Sequence, residues 1–146
     1  IPGIRVGWVA SNTEVADILR DYRDYTMICA GVFDDMVATL VLENKEAILE
    51  RNRQIVEENL ALMDEWIAKE PKASWIRPAS VSTSFVKLDV NRPIEDFALE
   101  LLQDYGVLVV PGNRFDKESH VRIGYCCDKE VLQKGLEKLS QFLNKC

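Results

Sequence analysis

Two arginines, Arg5 and Arg122, each lie in a five-residue segment with the pattern apolar, arginine, apolar, glycine, aromatic. The segments are residues 4–8 (IRVGW) and 121–125 (VRIGY). In an extended strand successive side chains alternate faces, so the arginine and the glycine share one face. A guanidinium binds a carboxylate or phosphate through two parallel hydrogen bonds, and a glycine beside it leaves room for the ligand. The two segments therefore predict two sites for anionic groups.

A structural role for both arginines is the alternative, because a strand arginine is often paired with an acid or faces water. Other candidates for chemistry are weaker. Arg114, in the turn at residues 111–115 (PGNRF), is expected to be solvated, and Asp34 and Asp35 are expected to cap a helix. The single histidine, His120, does not belong to a Ser-His-Asp catalytic triad that the sequence order supports. No two carboxylates have a spacing that predicts a catalytic pair. The residues alone therefore predict no complete active site.

The four cysteines do not form a metal-binding pattern. They are Cys29, Cys126, Cys127 and Cys146, and none has the paired CxxC spacing of a zinc or thioredoxin-like site. His120 has no neighbouring cysteine or second histidine with which to bind a metal ion. We expect no metal site and interpret the cysteines as reduced thiols that are partly packed in the core.

Composition limits the classes of partner. The chain has 146 residues, 47% of them hydrophobic, and a formal net charge of -6 with no basic patch. This length suits one domain, and the acidic balance disfavours nucleic acid, whose phosphates are bound by clustered Lys and Arg. No apolar run approaches the ~20 residues that cross a bilayer, and no leader pattern is present. We therefore predict a cytoplasmic protein without nucleic-acid or membrane partners.

The elements that must position the arginines are predicted from periodicity. Residues 4–10 are predicted to form a short strand, followed by a helix whose N-cap is one of residues 11–13. Residues 25–42 are predicted to be a loop and then a buried helix. Residues 44–69 repeat apolar positions every three or four residues, which predicts one long helix.

Beyond Pro71 the pattern alternates between strands and helices. The prediction is strand, strand, helix, strand, strand, helix, at residues 74–77, 81–90, 94–105, 107–110, 120–126 and from 129 onward, with Gly106 ending the first of these helices and Asp128 capping the second. This order predicts an α+β fold of two layers. A small mixed or antiparallel sheet would have helices packed on one face, and the long helix would precede it.

The order and spacing of four motifs resemble the class I and II, fold-type I aminotransferases, which use pyridoxal 5'-phosphate. The motifs are PGIRVGW at residues 2–8, YTMIC at 25–29, PGNRF at 111–115 and VRIGY at 121–125. The long helix lies between the second and third motifs. The resemblance extends over essentially the whole chain.

The resemblance implies that the chain is the C-terminal part of such an enzyme, inactive alone. Residues 1–43 would be the end of the large cofactor-binding domain with its connecting segment, residues 44–70 the interdomain helix, and residues 71–146 the small domain. In this family the lysine that forms the Schiff base precedes the PGxRxG motif. It would lie upstream of Ile1, so no catalytic residue is assigned within the chain.

The resemblance also implies roles for both arginines. Arg5 matches the arginine that binds the cofactor phosphate, and Arg122 matches the one that binds the α-carboxylate of the substrate. Pro111, Gly112 and Phe115 match the loop that shapes the site. The implied substrates are an amino acid and a 2-oxo acid, and the implied assembly is a homodimer.

Two alternatives remain open at this point. A pyridoxal-phosphate-dependent C–S lyase or synthase of the same fold would share both arginines. A stand-alone α+β binding module without enzymatic activity would use them structurally.

Overall fold

The described part of the chain, residues 2–79 and 81–146 of this computed structural model, folds into five α-helices and four β-strands. The elements are α1 (Thr13–Thr26), α2 (Val32–Glu43), α3 (Lys45–Lys69), β1 (Ala73–Trp75), β2 (Thr83–Leu88), α4 (Ile94–Tyr105), β3 (Val110–Pro111), β4 (His120–Gly124) and α5 (Lys129–Leu143). Single 3₁₀ turns lie at Pro2–Ile4 and Gly112–Phe115. The chain divides into two units, residues 1–50 and residues 51–146.

The strand predicted at residues 4–10 is wrong. The segment begins as the 3₁₀ turn Pro2–Ile4 and continues without regular structure to the start of α1. Arg5 has a φ of +53°, in the left-handed region that an extended strand does not use. A strand also needs a hydrogen-bonded neighbour, and the strands of the described residues all lie after residue 72.

The helices of the first unit are present where periodicity predicts them. Asn12 caps α1, since its side-chain Oδ1 accepts a hydrogen bond of 3.0 Å from the backbone N–H of Val15. The predicted burial of α2 is wrong, because no residue of α1 or α2 is buried by the described part of the chain. Phe33 and Leu40, for example, are 82% and 58% exposed.

The long helix predicted at residues 44–69 is confirmed as α3. Its C-terminal half carries buried side chains, and the indole N–H of Trp66 donates a 2.8 Å hydrogen bond to the Ser140 hydroxyl of α5. That hydroxyl in turn donates to the buried carboxylate of Glu70 at 2.7 Å. In the described residues no helix combines the length and the apolar character that a membrane span requires.

The sheet has the strand order β1-β2-β4-β3, and every neighbouring pair is antiparallel. The sequence predicted a mixed or an antiparallel sheet, and the structure has the antiparallel one. Side chains alternate between a buried face and a more exposed face. The buried face carries Val86, Leu88, Val121 and Ile123, and the opposite face carries Phe85, Lys87, Arg122 and Gly124.

Helices α4 and α5 complete the core, which confirms the α+β prediction. Their buried side chains are Ile94, Phe97, Ala98 and Leu101 of α4 and Leu132, Leu136, Leu139, Phe142 and Leu143 of α5. Gly106 ends α4 with a φ of +66°, as predicted from a glycine in the C-cap position. Asp128 precedes α5, but its carboxylate makes no capping hydrogen bond.

The strand predicted at residues 107–110 is displaced in the structure. Only Val110 and Pro111 pair with β4, opposite Arg122 and Val121. Leu108 is exposed, so the apolar run does not indicate a strand buried on both faces. The short strand β3 leads directly into the turn that follows it.

Gly135 offers a test of how the helices are built. It lies inside α5, and a Cβ added there would meet no atom within 4 Å. We expect Gly135→Ala to raise the free energy of unfolding by about 0.5–1 kcal/mol, because alanine loses less backbone entropy than glycine in a helix. Urea denaturation measures the change. A loss of stability would contradict the open space seen beside this residue.

Candidate functional site

Arg122 lies on β4 with the orientation that the sequence predicts. Val121 and Ile123 on either side are buried, whereas Arg122 and Gly124 face outward together. A Cβ at Gly124 would meet no atom within 4 Å. The packing of this unit therefore does not require a glycine there, and the space above Gly124 on the outward face is open.

The guanidinium of Arg122 has an aromatic neighbour. Its Cζ lies 5.2 Å from the centre of the Phe115 ring. Among the described residues, no acidic side chain forms an ion pair with Arg122. A cavity of about 280 Å³ opens at this point, and it is lined by Thr83, Ser84, Phe85, Phe115 and Arg122. The arrangement leaves a positive charge available to an external anion.

The turn that carries Phe115 is held by a close backbone approach at Gly112. A Cβ at this position would lie 2.2 Å from the carbonyl oxygen of Lys117 and 2.5 Å from that of His120. The N–H of Lys117 also donates a 3.0 Å hydrogen bond to the Gly112 carbonyl. Only glycine fits this position without moving the backbone.

Helix α4 fixes the same turn through one acid, Glu95. The side-chain amide of Asn113 donates a 2.7 Å hydrogen bond to Glu95 Oε2, and Arg114 forms an ion pair with Glu95 Oε1. Arg114 was predicted to be solvated, and it is exposed but paired. Its role is to hold the turn, since its charge is matched by Glu95.

His120 lies at the other end of this face, where β4 begins. Its imidazole stacks on Phe85 with 4.9 Å between ring centres and 17° between planes, and Nδ1 is buried without a hydrogen-bond partner. Burial of the ring, with smaller effects from Lys117 and Lys87, lowers the pKa of His120 below its usual 6.5. His120 is therefore neutral at pH 7.

This lowered pKa makes the stability depend on pH. A histidine that binds its proton less readily when folded contributes stability that falls as pH decreases from 6.5 toward the folded pKa. We expect the wild type to lose more unfolding free energy between pH 7.5 and pH 5.5 than His120→Phe, which keeps a ring on Phe85. Urea titrations at both pH values measure the difference. Equal losses in the two proteins would contradict it.

The far end of β4 is fixed by a residue that the sequence analysis missed. Asn59 of α3 is 3% exposed, and its side-chain amide donates hydrogen bonds to the carbonyls of Tyr125 at 2.7 Å and Cys127 at 2.8 Å. The Tyr125 hydroxyl donates in turn to the carbonyl of Val81. An asparagine within the apolar stripe of a helix is the only sequence signal for this contact.

We expect Asn59→Ala to lower the free energy of unfolding by about 2 kcal/mol. The change leaves two buried carbonyls without a donor, and each unsatisfied group costs about 1–3 kcal/mol before the structure relaxes. Urea denaturation checks the value. Asn52→Ala, an exposed change on the same helix, is the control and is expected to stay within about 0.5 kcal/mol. Equal effects at both positions would contradict the role of Asn59.

Arg5 lies in the first unit, whereas Arg122 lies in the second. Its side chain is exposed, and a Cβ at Gly3 or Gly7 would meet no atom within 4 Å. The two pentapeptides therefore share a residue pattern without sharing a backbone conformation. Asp34 and Asp35 lie in the first turn of α2, where negative charge is favourable, without a side-chain capping bond.

The cysteines are free thiols, as expected. Cys29, Cys126 and Cys146 are exposed, and only Cys127 is partly buried against the core, so the predicted packing applies to one of the four. Across residues 2–79 and 81–146, no cluster of three or more His, Cys, Asp or Glu side chains is arranged to hold a metal ion.

Comparison with known proteins identifies the family. The profile of the family "aminotransferase class I and II" matches residues 1–139. The chain belongs to this family. The resemblance inferred from the four motifs is thereby confirmed.

The matches to similar proteins cover nearly all of this chain but only part of the length of each similar protein. A crystal structure of a pyridoxal-phosphate-dependent aminotransferase from Streptococcus suis is 67% identical with a TM-score of 0.94, over 99% of this chain and 38% of that one. Capreomycidine synthase from Streptomyces vinaceus is 29% identical over 98% of this chain. A probable N-acetyl-LL-diaminopimelate aminotransferase from Bacillus subtilis is 26% identical over 98%. The chain spans 37% of the length of each of these two relatives.

Proposed function

We propose that this chain is the C-terminal part of a pyridoxal-phosphate-dependent aminotransferase in which Arg122 binds the substrate α-carboxylate. The observation that supports this is the outward-facing guanidinium without an acidic partner in the described residues, beside open space at Gly124. The planar fork of arginine matches a carboxylate with two hydrogen bonds. An amino acid and a 2-oxo acid both carry that carboxylate, so one arginine serves both halves of amino-group transfer.

The proposed domain boundaries follow from the same assignment. Residues 1–43 belong to the end of the large domain, residues 44–70 to the interdomain helix and residues 71–146 to the small domain. The partial coverage of each relative supports the assignment of the chain to part of a longer protein. The exposed apolar side chains of α1 and α2 support it as well, because large exposed apolar surfaces usually contact another part of a protein.

Arg5 is proposed to bind the phosphate of the cofactor. The residues fit this group, because Arg5 is exposed and the flanking Gly3 and Gly7 add no side chain beside it; a Cβ at either glycine would meet no atom within 4 Å. Pyridoxal phosphate, when bound, supplies an electron sink for chemistry at the amino acid Cα. This chain supplies binding and orientation, which fixes the reacting bond relative to the cofactor. No proton transfer is assigned to its residues.

The proposed assembly rests on the family resemblance, and the proposed location rests on the composition of the chain. We infer a cytoplasmic homodimer, with an amino acid and a 2-oxo acid as substrates. Sedimentation of the full-length protein measures the assembly, and a monomer at working concentration would contradict it.

Product analysis of the full-length protein tests the reaction. The protein is incubated with pyridoxal phosphate, mixed L-amino acids and one 2-oxo acid at a time, and new amino acids are detected by mass spectrometry. We expect an amino acid with the carbon skeleton of the added 2-oxo acid, formed in equal amount to a new 2-oxo acid. Products that form at the same rate without any 2-oxo acid would contradict amino-group transfer.

A synthase of the same fold is the second candidate, since capreomycidine synthase is among the similar proteins. It would use Arg122 for the same carboxylate. The same incubation separates the two functions, because a synthase converts one amino acid into a new product without an acceptor. A C–S lyase would instead release a thiol.

A further inference from the structure

Arg122 differs from three other arginines of the second unit in the partner that holds it. Arg77, Arg92 and Arg114 each form an ion pair, with Asp64 at 2.9 Å, with Glu100 at 2.6 Å and with Glu95. Arg92 also lies over a ring, 6.0 Å from the centre of Phe142, but it keeps its acidic partner. The guanidinium of Arg122 lies over the face of Phe115 and forms no ion pair with the described residues. A carboxylate partner would occupy its N–H donors and cancel its charge, whereas a ring attracts the cation and leaves the donors at its edges available.

Three aromatic rings form a continuous row on this face, which we call the aromatic shelf: His120, Phe85 and Phe115. His120 stacks on Phe85, and Phe85 meets Phe115 edge to face, with 5.8 Å between ring centres and 86° between planes. Phe115 then carries the guanidinium of Arg122. The edge-to-face contact is a favoured aromatic geometry, so Phe85 fixes the tilt of the Phe115 ring.

Backbone structure positions each residue of the aromatic shelf. Phe85 and Arg122 are directly opposite each other in the β2–β4 pair, and His120 is two residues before Arg122 on the same strand face. Phe115 is positioned by the turn whose Gly112 contacts the backbone of His120. The shelf is therefore built by three separate segments that converge on one side chain.

We propose that Phe115, supported by Phe85, is the positioning residue that holds the Arg122 guanidinium ready for the substrate carboxylate. This inference rests on the proposed function of Arg122. Phe115 makes no bond to the substrate in this proposal, and it acts by holding the guanidinium over its ring face, where it forms no ion pair with the acids of its own unit. The ring face is the property that matters, rather than the apolar volume.

Two substitutions at Phe115 separate ring from volume. Phe115→Met keeps the apolar volume without a ring, and Phe115→Tyr keeps the ring. Phe115 is 45% exposed, so neither change removes a core side chain. In the full-length holoenzyme we expect Phe115→Met to weaken amino-acid binding by about 3- to 30-fold, the range of a cation–π contact. We expect Phe115→Tyr to keep the wild-type affinity.

The probe is 2-methylalanine, an amino acid that has an α-carboxylate but no α-hydrogen, so that its Kd is measured by calorimetry without turnover. Steady-state kinetics with a reactive amino acid add a second readout, in which KM rises for Phe115→Met while kcat changes less. Phe85→Met is expected to give a smaller loss of affinity. Thermal melting of each variant shows that the fold is kept.

The outcomes distinguish this inference from the proposed function. If Arg122→Ala leaves the Kd for 2-methylalanine unchanged, the proposed function of Arg122 is wrong. If Arg122→Ala weakens binding but Phe115→Met binds as well as Phe115→Tyr, the positioning role is wrong and Phe115 only fills space. The proposal is supported if Phe115→Met binds 2-methylalanine more weakly than the wild type while Phe115→Tyr binds it as tightly.

Discussion

Arg122→Ala in the full-length protein is expected to lower kcat/KM for the amino-acid substrate by about 100- to 1,000-fold. Truncating one partner of a hydrogen-bonded charge pair costs about 2–5 kcal/mol, and the α-carboxylate loses both its charge partner and its orientation. The 2-oxo acid should lose a similar factor, since it carries the same carboxylate. Steady-state kinetics with each substrate varied in turn measure both losses.

Arg122→Lys tests whether the fork or the charge is needed. Lysine keeps the positive charge but provides no planar pair of donors, so activity should recover only in part. Arg77→Ala is the matched control, because this arginine is also exposed but is already paired with Asp64. We expect its kcat/KM to remain near that of the wild type. An unchanged kcat/KM in Arg122→Ala would contradict the proposal that Arg122 binds the α-carboxylate.

Gly112→Ala is expected to lower the free energy of unfolding by about 3 kcal/mol, because overpacking against backbone cannot be relieved by a rotamer change. The added Cβ would lie 2.2 Å and 2.5 Å from two carbonyl oxygens, and one of these belongs to the first residue of β4. Relief requires the turn to move, which would also displace Phe115 from Arg122. Urea denaturation measures the stability, and kinetics of the full-length protein measure the effect on the site.

The control for this second substitution lies on α5. Gly135→Ala adds the same methyl group where no atom lies within 4 Å, and it is expected to stabilise the protein. Opposite signs at the two glycines would establish close backbone approach as the reason for glycine at position 112. A Gly112→Ala protein as stable as the wild type would contradict that reason.

Much of the second unit could be predicted because its signals are local. The apolar stripes of α3, α4 and α5 have helical spacing, and their bounds agree with the structure to within a few residues. Alternation along β4 correctly placed Arg122 and Gly124 on the outward face. Gly106 was correctly predicted to end α4, since a left-handed C-cap strongly favours glycine.

The errors lie where structure depends on a distant partner. Residues 4–10 have an alternating pattern, but a strand forms only beside another strand, and none of the strands in the described residues pairs with them. The apolar sequence of α2 indicated burial, yet side chains are buried only when another element covers them. The strand predicted at residues 107–110 was displaced for the same reason, because only Val110 and Pro111 pair with β4.

The sequence by itself determined the helix positions, the outward orientation of Arg122 and the family. The first two depend on residue types at short fixed spacing, and the family depends on the order of four motifs along the chain. Only the tertiary structure decided what surrounds that arginine. Phe115 on its guanidinium, Phe85 and His120 behind it, and the Gly112 backbone contact join segments that are separated by up to 37 positions along the chain. Such contacts follow from strand pairing and backbone packing, which no local pattern of residues encodes.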